Sequence, residues 1–149
     1  MSRPKPVVPV PLFLDHCLAA KSLARSLDAD GVEHYCLKDV FPTACPDVDW
    51  LPEVATKGWL VVSADDRIRY RQHEQLAVAA TGARLFLIAN GGEKRGVELV
   101  EIVRACLRPM FKLARRTPAP FIAKLHEGGR IEMWMDSTAF ADALARARR

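Results

Sequence analysis

Four short, largely apolar runs recur along the chain, and between them hydrophobic residues return every three or four positions. Leu12-Phe13-Leu14, Val32 to Leu37, Trp59-Leu60-Val61-Val62 and Arg84 to Ile88 read as strands, the third continuous enough to be buried on both faces. Pro9 and Pro11 forbid a regular ladder before about Leu12. The intervening stretches read as helices. Cys17 to Leu27 places Leu18, Ala19, Leu23 and Leu27 on one side and is closed by Gly31. A helix opens at Asp47, just after Pro46, and stops at Gly58. Asp66 to Ala80 turns Ile68, Leu76 and Ala79 or Ala80 inward. Val97 to Leu107 carries a stripe of Val100, Val103 and Leu107, after which Pro109 is expected to kink or restart the helix. Phe121 to His126 and Ile131 to Met135 flank Gly128-Gly129, a hairpin signal with Phe121, Ala123 and Leu125 alternating against Ile131, Met133 and Met135. A last helix begins near Ser137.

Strand and helix thus alternate four times before the hairpin. That order predicts an open, mostly parallel α/β sheet with right-handed crossovers, the hairpin added at an edge or across a face. With 149 residues, no repeat and no long linker, one domain is expected over residues 1–149, its core at about 12–116 and the hairpin and terminal helix at about 120–148. The net charge of +4 permits a polyanionic partner without requiring one. Cys17, Cys36, Cys45 and Cys106 lack C-x-x-C spacing and are read as thiols of a reducing cytosol. Arg3 and Lys5 precede an apolar run, but Pro4, Pro6, Pro9 and Pro11 break it, so no signal peptide is expected. No run approaches membrane-spanning length, and the expected location is cytoplasmic.

In a parallel sheet, the carboxyl ends of the strands and the starts of the following helices share one rim, where ligands bind. Asp15 follows the first strand and Asp39 the second. Asp47 and Asp49 open a helix, and Asp65 and Asp66 follow the third strand. Crowded carboxylates call for a compensating cation, and oxygen donors without neighbouring His or Cys select Mg²⁺ or Mn²⁺. The natural task of such a centre is phosphodiester hydrolysis, with Arg67, Arg69 or Arg71 placed to hold a phosphate.

Phe13-Leu14-Asp15-His16-Cys17-Leu18, Phe41-Pro42, Asp47-Val48-Asp49-Trp50-Leu51-Pro52-Glu53-Val54, Gly58-Trp59 and Ser63-Ala64-Asp65-Asp66-Arg67-Ile68-Arg69 follow one another in an order that resembles the PIN-like domains of VapC-type toxins. Thr117-Pro118-Ala119-Pro120-Phe121-Ile122-Ala123 extends the likeness, which runs from about Leu12 to Ile131. The resemblance implies a three-layer sandwich around a mostly parallel sheet of about four strands. It implies a metal-dependent ribonuclease, the toxic partner of a toxin–antitoxin pair, with RNA as substrate and a cognate antitoxin as partner; a homodimer is left open. Carried over by position, Asp15, Asp47 and Asp65 are the catalytic and metal-binding acids, and Asp66 is a fourth ligand. Ser63 stands where many relatives have Thr, and either hydroxyl can orient a neighbouring carboxylate. Ser63, Arg67 and Arg69 form the expected substrate-binding set.

Two other classes fit less well. A receiver-type phosphoacceptor domain needs an acidic pair after strand one, and here only Asp15 stands there, followed by His16. A haloacid-dehalogenase-like reading of Asp47-Val48-Asp49 fails because no apolar strand precedes it. A non-catalytic PIN-like binding module is the remaining alternative.

Overall fold

A computed structural model of the chain describes residues 10–15, 20–41, 47–65 and 72–147, apart from the side chains of residues 20, 38, 39, 47–49, 72 and 73. The elements run β1 (Leu12–Leu14), α1 (Ala20–Ala29), β2 (His34–Cys36), α2 (Leu37–Val40), α3 (Asp47–Thr56) and β3 (Leu60–Ser63). They continue with α4 (Gln72–Thr81), β4 (Arg84–Ile88), α5 (Gly96–Arg116), β5 (Phe121–Leu125), β6 (Ile131–Met135) and α6 (Ser137–Ala147). The six strands form one sheet in the order β2, β1, β3, β4, β5, β6. All neighbours are parallel except β6, which returns antiparallel to β5 at the edge.

Alternation along the strands divides the core in two. Leu12, Leu14, Leu60, Val62, Phe86 and Ile88 face a layer built from α1 and α5, through Leu23, Leu27, Ile102, Val103, Cys106 and Met110. Phe13, Val61, Leu85 and Leu87 face the other layer, where α3, α4 and α6 supply Trp50, Leu51, Val54, Val78, Ala79 and Phe140. This is the three-layer arrangement expected, with the hairpin extending the sheet instead of lying across it. Among the described residues no helix is long and apolar enough to cross a membrane.

One expectation about handedness does not hold throughout. The β1-α1-β2 unit moves one way along the sheet over the first face, while β2-α3-β3 and β3-α4-β4 move the other way over the second, which gives all three the same hand. The β4-α5-β5 unit moves in that second direction but over the first face, so its hand is opposite. Right-handed crossovers therefore cannot hold for all four. Over β4 and β5 the second face is already covered by α4 and α6.

Several local readings are corrected as well. Leu37, assigned to the second strand, instead starts the short helix α2. The inward stripe of α4 is Glu74, Val78 and Ala79, whereas Leu76 is only half-buried and Ala80 is exposed; Ile68 lies outside the described residues. Met135 pairs with Ile122, because a bulge between Ile122 and Ala123 shifts the register expected for the hairpin.

Pro109, expected to kink or restart the helix, lies inside the continuous α5. It has no N–H for the Ala105 carbonyl one turn earlier. That carbonyl faces Gly129 of the Glu127–Gly129 turn, where a Cβ would stand 2.8 Å from the Ala105 oxygen. Gly129 also has φ +82°, a conformation that disfavours any L side chain. Gly129→Ala is therefore expected to destabilise the protein by about 2–3 kcal/mol, combining left-handed backbone strain with overpacking, and urea denaturation measures it. Gly92, where a Cβ meets nothing within 4 Å and φ is not positive, is the control and should tolerate alanine.

Cys106 is a buried thiol. Burial pushes Cys106 up to about 11; Cys17 and Cys45 lie outside the described residues.

Candidate active site

The chain turns away from β1 and from β3 in opposite senses. After β1 it enters α1 on one face, and after β3 it enters α4 on the other. The carboxyl ends of these adjacent strands therefore form a topological switch point, where an open α/β sheet has its usual ligand crevice. Asp15 and Ser63 flank this point.

Phe13 pairs with Val61 and Leu14 with Val62 in the parallel ladder, and the Asp15 N–H extends it by donating to the Val62 carbonyl at 3.1 Å. Asp15 thus comes level with Ser63 on the face of α3 and α4. The Ser63 hydroxyl donates to Asp15 Oδ2 at 2.8 Å and accepts the Asp65 N–H at 3.1 Å. One hydroxyl ties both acids to a common frame. Asp15 is 6% exposed and Ser63 1%, whereas Asp65 is half-buried. A carboxylate so far removed from water is tolerated because hydrogen bonds replace part of its hydration. Ser63, expected among the substrate-binding residues, sits beneath the acids with its proton committed to Asp15.

Asp47 is the first residue of α3. One turn later Trp50 packs on Phe13, ring centroids 5.0 Å apart, and Phe13 precedes Asp15 by two positions on the same strand face. The apolar contact fixes the amino end of α3 over the end of β1. The side chains of Asp47, Asp49 and Asp39 lie outside the description, as do Asp66, Arg67, Arg69 and Arg71 entirely. Among the described residues no group of three His, Cys, Asp or Glu side chains is placed to hold a metal ion.

Glu74 is a carboxylate that sequence reading passed over. It lies in the first turn of α4, on the same side of the sheet as Asp15, and is 8% exposed. The available signal was its spacing, four residues before Val78. A charged residue at the head of an apolar stripe hides that pattern.

The two histidines with described side chains do not gather. His34 Nδ1 lies 3.1 Å from the Val32 carbonyl oxygen, and His126 Nε2 lies 2.9 Å from Glu132 Oε1. That bond to His126 holds the Glu132 carboxyl below its ordinary range.

A family model described as a PIN-like domain matches residues 11–90, more than half of the 149 residues. No curated protein and no solved structure gave a match. The matched span contains both strand ends of the switch point, the start of α3 and all of α4. With its six-stranded, mostly parallel sheet and acids at the switch point, the chain belongs to the PIN-like domain family, a nuclease-type fold family.

Proposed function

We infer that this protein is a metal-dependent endoribonuclease of the VapC kind, the toxin of a type II toxin–antitoxin pair. The observation that carries this reading is the Asp15–Ser63–Asp65 bridge at the switch point. A buried hydroxyl joins the Asp15 carboxylate to the Asp65 backbone, which brings the two acids after adjacent strands to one place on the rim.

Asp15, Asp47 and Asp65, with Asp66, would hold Mg²⁺ or Mn²⁺; such an ion, when bound, would make a water easier to deprotonate to the hydroxide that attacks phosphorus and would balance charge on the phosphate. The described donors suit a hard cation, since they are carboxylate oxygens with no thiol or imidazole among them. Ser63 orients Asp15 by donating to Oδ2. Positioning of this kind typically changes metal affinity or activity tenfold to a hundredfold. Arg67 and Arg69 would hold an RNA phosphate beside the centre. A cognate antitoxin would bind over the acidic rim and compete with RNA there.

The test is RNA cleavage by the purified full-length protein. Single-stranded and structured RNAs should be cut with Mg²⁺ or Mn²⁺, spared on adding EDTA, and cut again when metal is restored in excess. Asp65→Asn should lower the rate by about two orders of magnitude or more. Intact RNA across varied substrates and both metals would overturn the reading.

A further inference from the structure

Beyond the acids, the same rim carries a second polar feature. At the ends of β4 and β5 lies a cavity of about 240 Å³ lined by Ala89, Asn90, Lys94, His126, Glu127 and Arg130. Lys94 comes from the turn after β4, and His126 and Arg130 from the turn between β5 and β6. These turns are fixed to the sheet: Ala89 N–H donates to the Leu125 carbonyl at 3.0 Å, and His126 N–H to the Arg130 carbonyl at 2.8 Å.

The groups in this notch are not equally held. The Lys94 side chain is 18% exposed, while Glu127, its partner at 3.5 Å, is 76% exposed. His126 is 19% exposed and its partner Glu132 51%. In both pairs the nitrogen-bearing side chain is fixed and the carboxylate lies further out in water. Arg130 is exposed and forms no ion pair among the described residues. A long-range ion pair with one exposed member is weak, so an anion carrying several acceptor oxygens can displace Glu127 from Lys94 and engage Arg130 as well.

The position is as informative as the composition. Strands lie about 4.8 Å apart, so the ends of β4 and β5 are about 5 and 10 Å along the rim from β3, which leads into Asp65. The turn after β4 lies directly against that loop. A Cβ at Gly91 would come within 2.4 Å of the Ala64 carbonyl oxygen, so only glycine permits this approach.

We propose that the Lys94/His126/Arg130 notch is a phosphate subsite for single-stranded RNA, holding a backbone phosphate beyond the nucleotide at the acidic centre. This rests on the ribonuclease reading of that centre. The carboxylate of Glu127 occupies the subsite's lysine in the free protein and is displaced by substrate, so Glu127 lowers the protein's affinity for RNA.

Fluorescence anisotropy with a labelled single-stranded RNA oligomer, in EDTA so that nothing is cut, tests this on the full chain. Lys94→Ala and Arg130→Ala should each weaken binding about threefold to tenfold and reduce the salt slope by about 0.7. Glu127→Gln should tighten binding. Arg104→Ala, whose arginine pairs with Asp30 on α5's exposed side, should match wild type. The proposal is overturned if Lys94→Ala and Arg130→Ala bind like Arg104→Ala, or if Glu127→Gln leaves affinity unchanged. The two readings fail separately. Metal-dependent cleavage with binding indifferent to Lys94 and Arg130 removes the subsite and leaves the nuclease. Lys94-dependent binding without cleavage under any metal removes the nuclease and leaves a phosphate site.

Discussion

Asp15→Asn is expected to abolish RNA cleavage, lowering the rate by about three orders of magnitude, while leaving the protein folded and somewhat more stable in EDTA. The two effects have opposite signs for one reason. At 6% exposure the Asp15 carboxylate is held out of water against Ser63, and an amide of the same shape accepts the same hydrogen bond without a charge to desolvate. Stability should therefore rise by about 1 kcal/mol. Activity should fall because an amide oxygen is a poor ligand for a hard cation and a poor proton acceptor. Asparagine caps helices as well as aspartate does, so the loss could not be attributed to a lost cap. Ser63→Ala should give a smaller drop, about tenfold to a hundredfold, and Ser63→Thr should keep most activity because it retains the hydroxyl. Urea titration beside a cleavage assay separates these outcomes. If Asp15→Asn lost several kcal/mol and its activity fell only with the folded fraction, Asp15 would be a structural residue and the proposed centre would fail.

The sequence showed most where one physical signal acted alone. β1, β3 and β4 were legible because strands buried on both faces appear as unbroken apolar runs, and Asp15 and Asp65 were legible because they follow such runs. The start of α3 was marked by Pro46 and Asp47, and its end by Gly58. Reading failed where two signals competed. Leu37 continued an apolar strand pattern, yet the chain turned into α2. Pro109 normally stops a helix, but the packing of Ile102, Val103, Cys106, Met110 and Phe111 against the sheet outweighs one missing hydrogen bond. Glu74 was passed over because its charge interrupted the stripe to which its position belongs. Ser63's hydrogen bond to Asp15 spans 48 residues, and the family resemblance implied only that its hydroxyl can orient a neighbouring carboxylate. The Lys94/His126/Arg130 notch joins two turns that no local pattern connects.

Phe13→Ala is expected to cost about 3–5 kcal/mol, a large part of the roughly 5–15 kcal/mol that holds a domain of this kind together. Phe13 is fully buried on β1, between β2 and β3. Its ring lies 5.0 Å from Trp50, 5.8 Å from Phe41 in an edge-on contact and 6.1 Å from Trp59, which in turn stacks on Tyr35 at 4.3 Å. Four aromatic rings therefore share one partner or its neighbour, and alanine would leave a cavity that rigid rings cannot collapse to fill. Phe13→Leu retains most of the volume and should cost about 1.5 kcal/mol or less. The effect should extend to function, because the Phe13–Trp50 contact fixes the amino end of α3, where Asp47 begins, above Asp15. At a temperature where Phe13→Leu is fully folded, its cleavage rate should still fall, with a weaker Mn²⁺ requirement ruled out by a higher metal concentration for half-maximal activity. A small stability loss in Phe13→Ala would show that the rings close over the gap. Wild-type metal dependence in Phe13→Leu would show that α3 holds its place without this contact, and that the aromatic cluster serves the core alone.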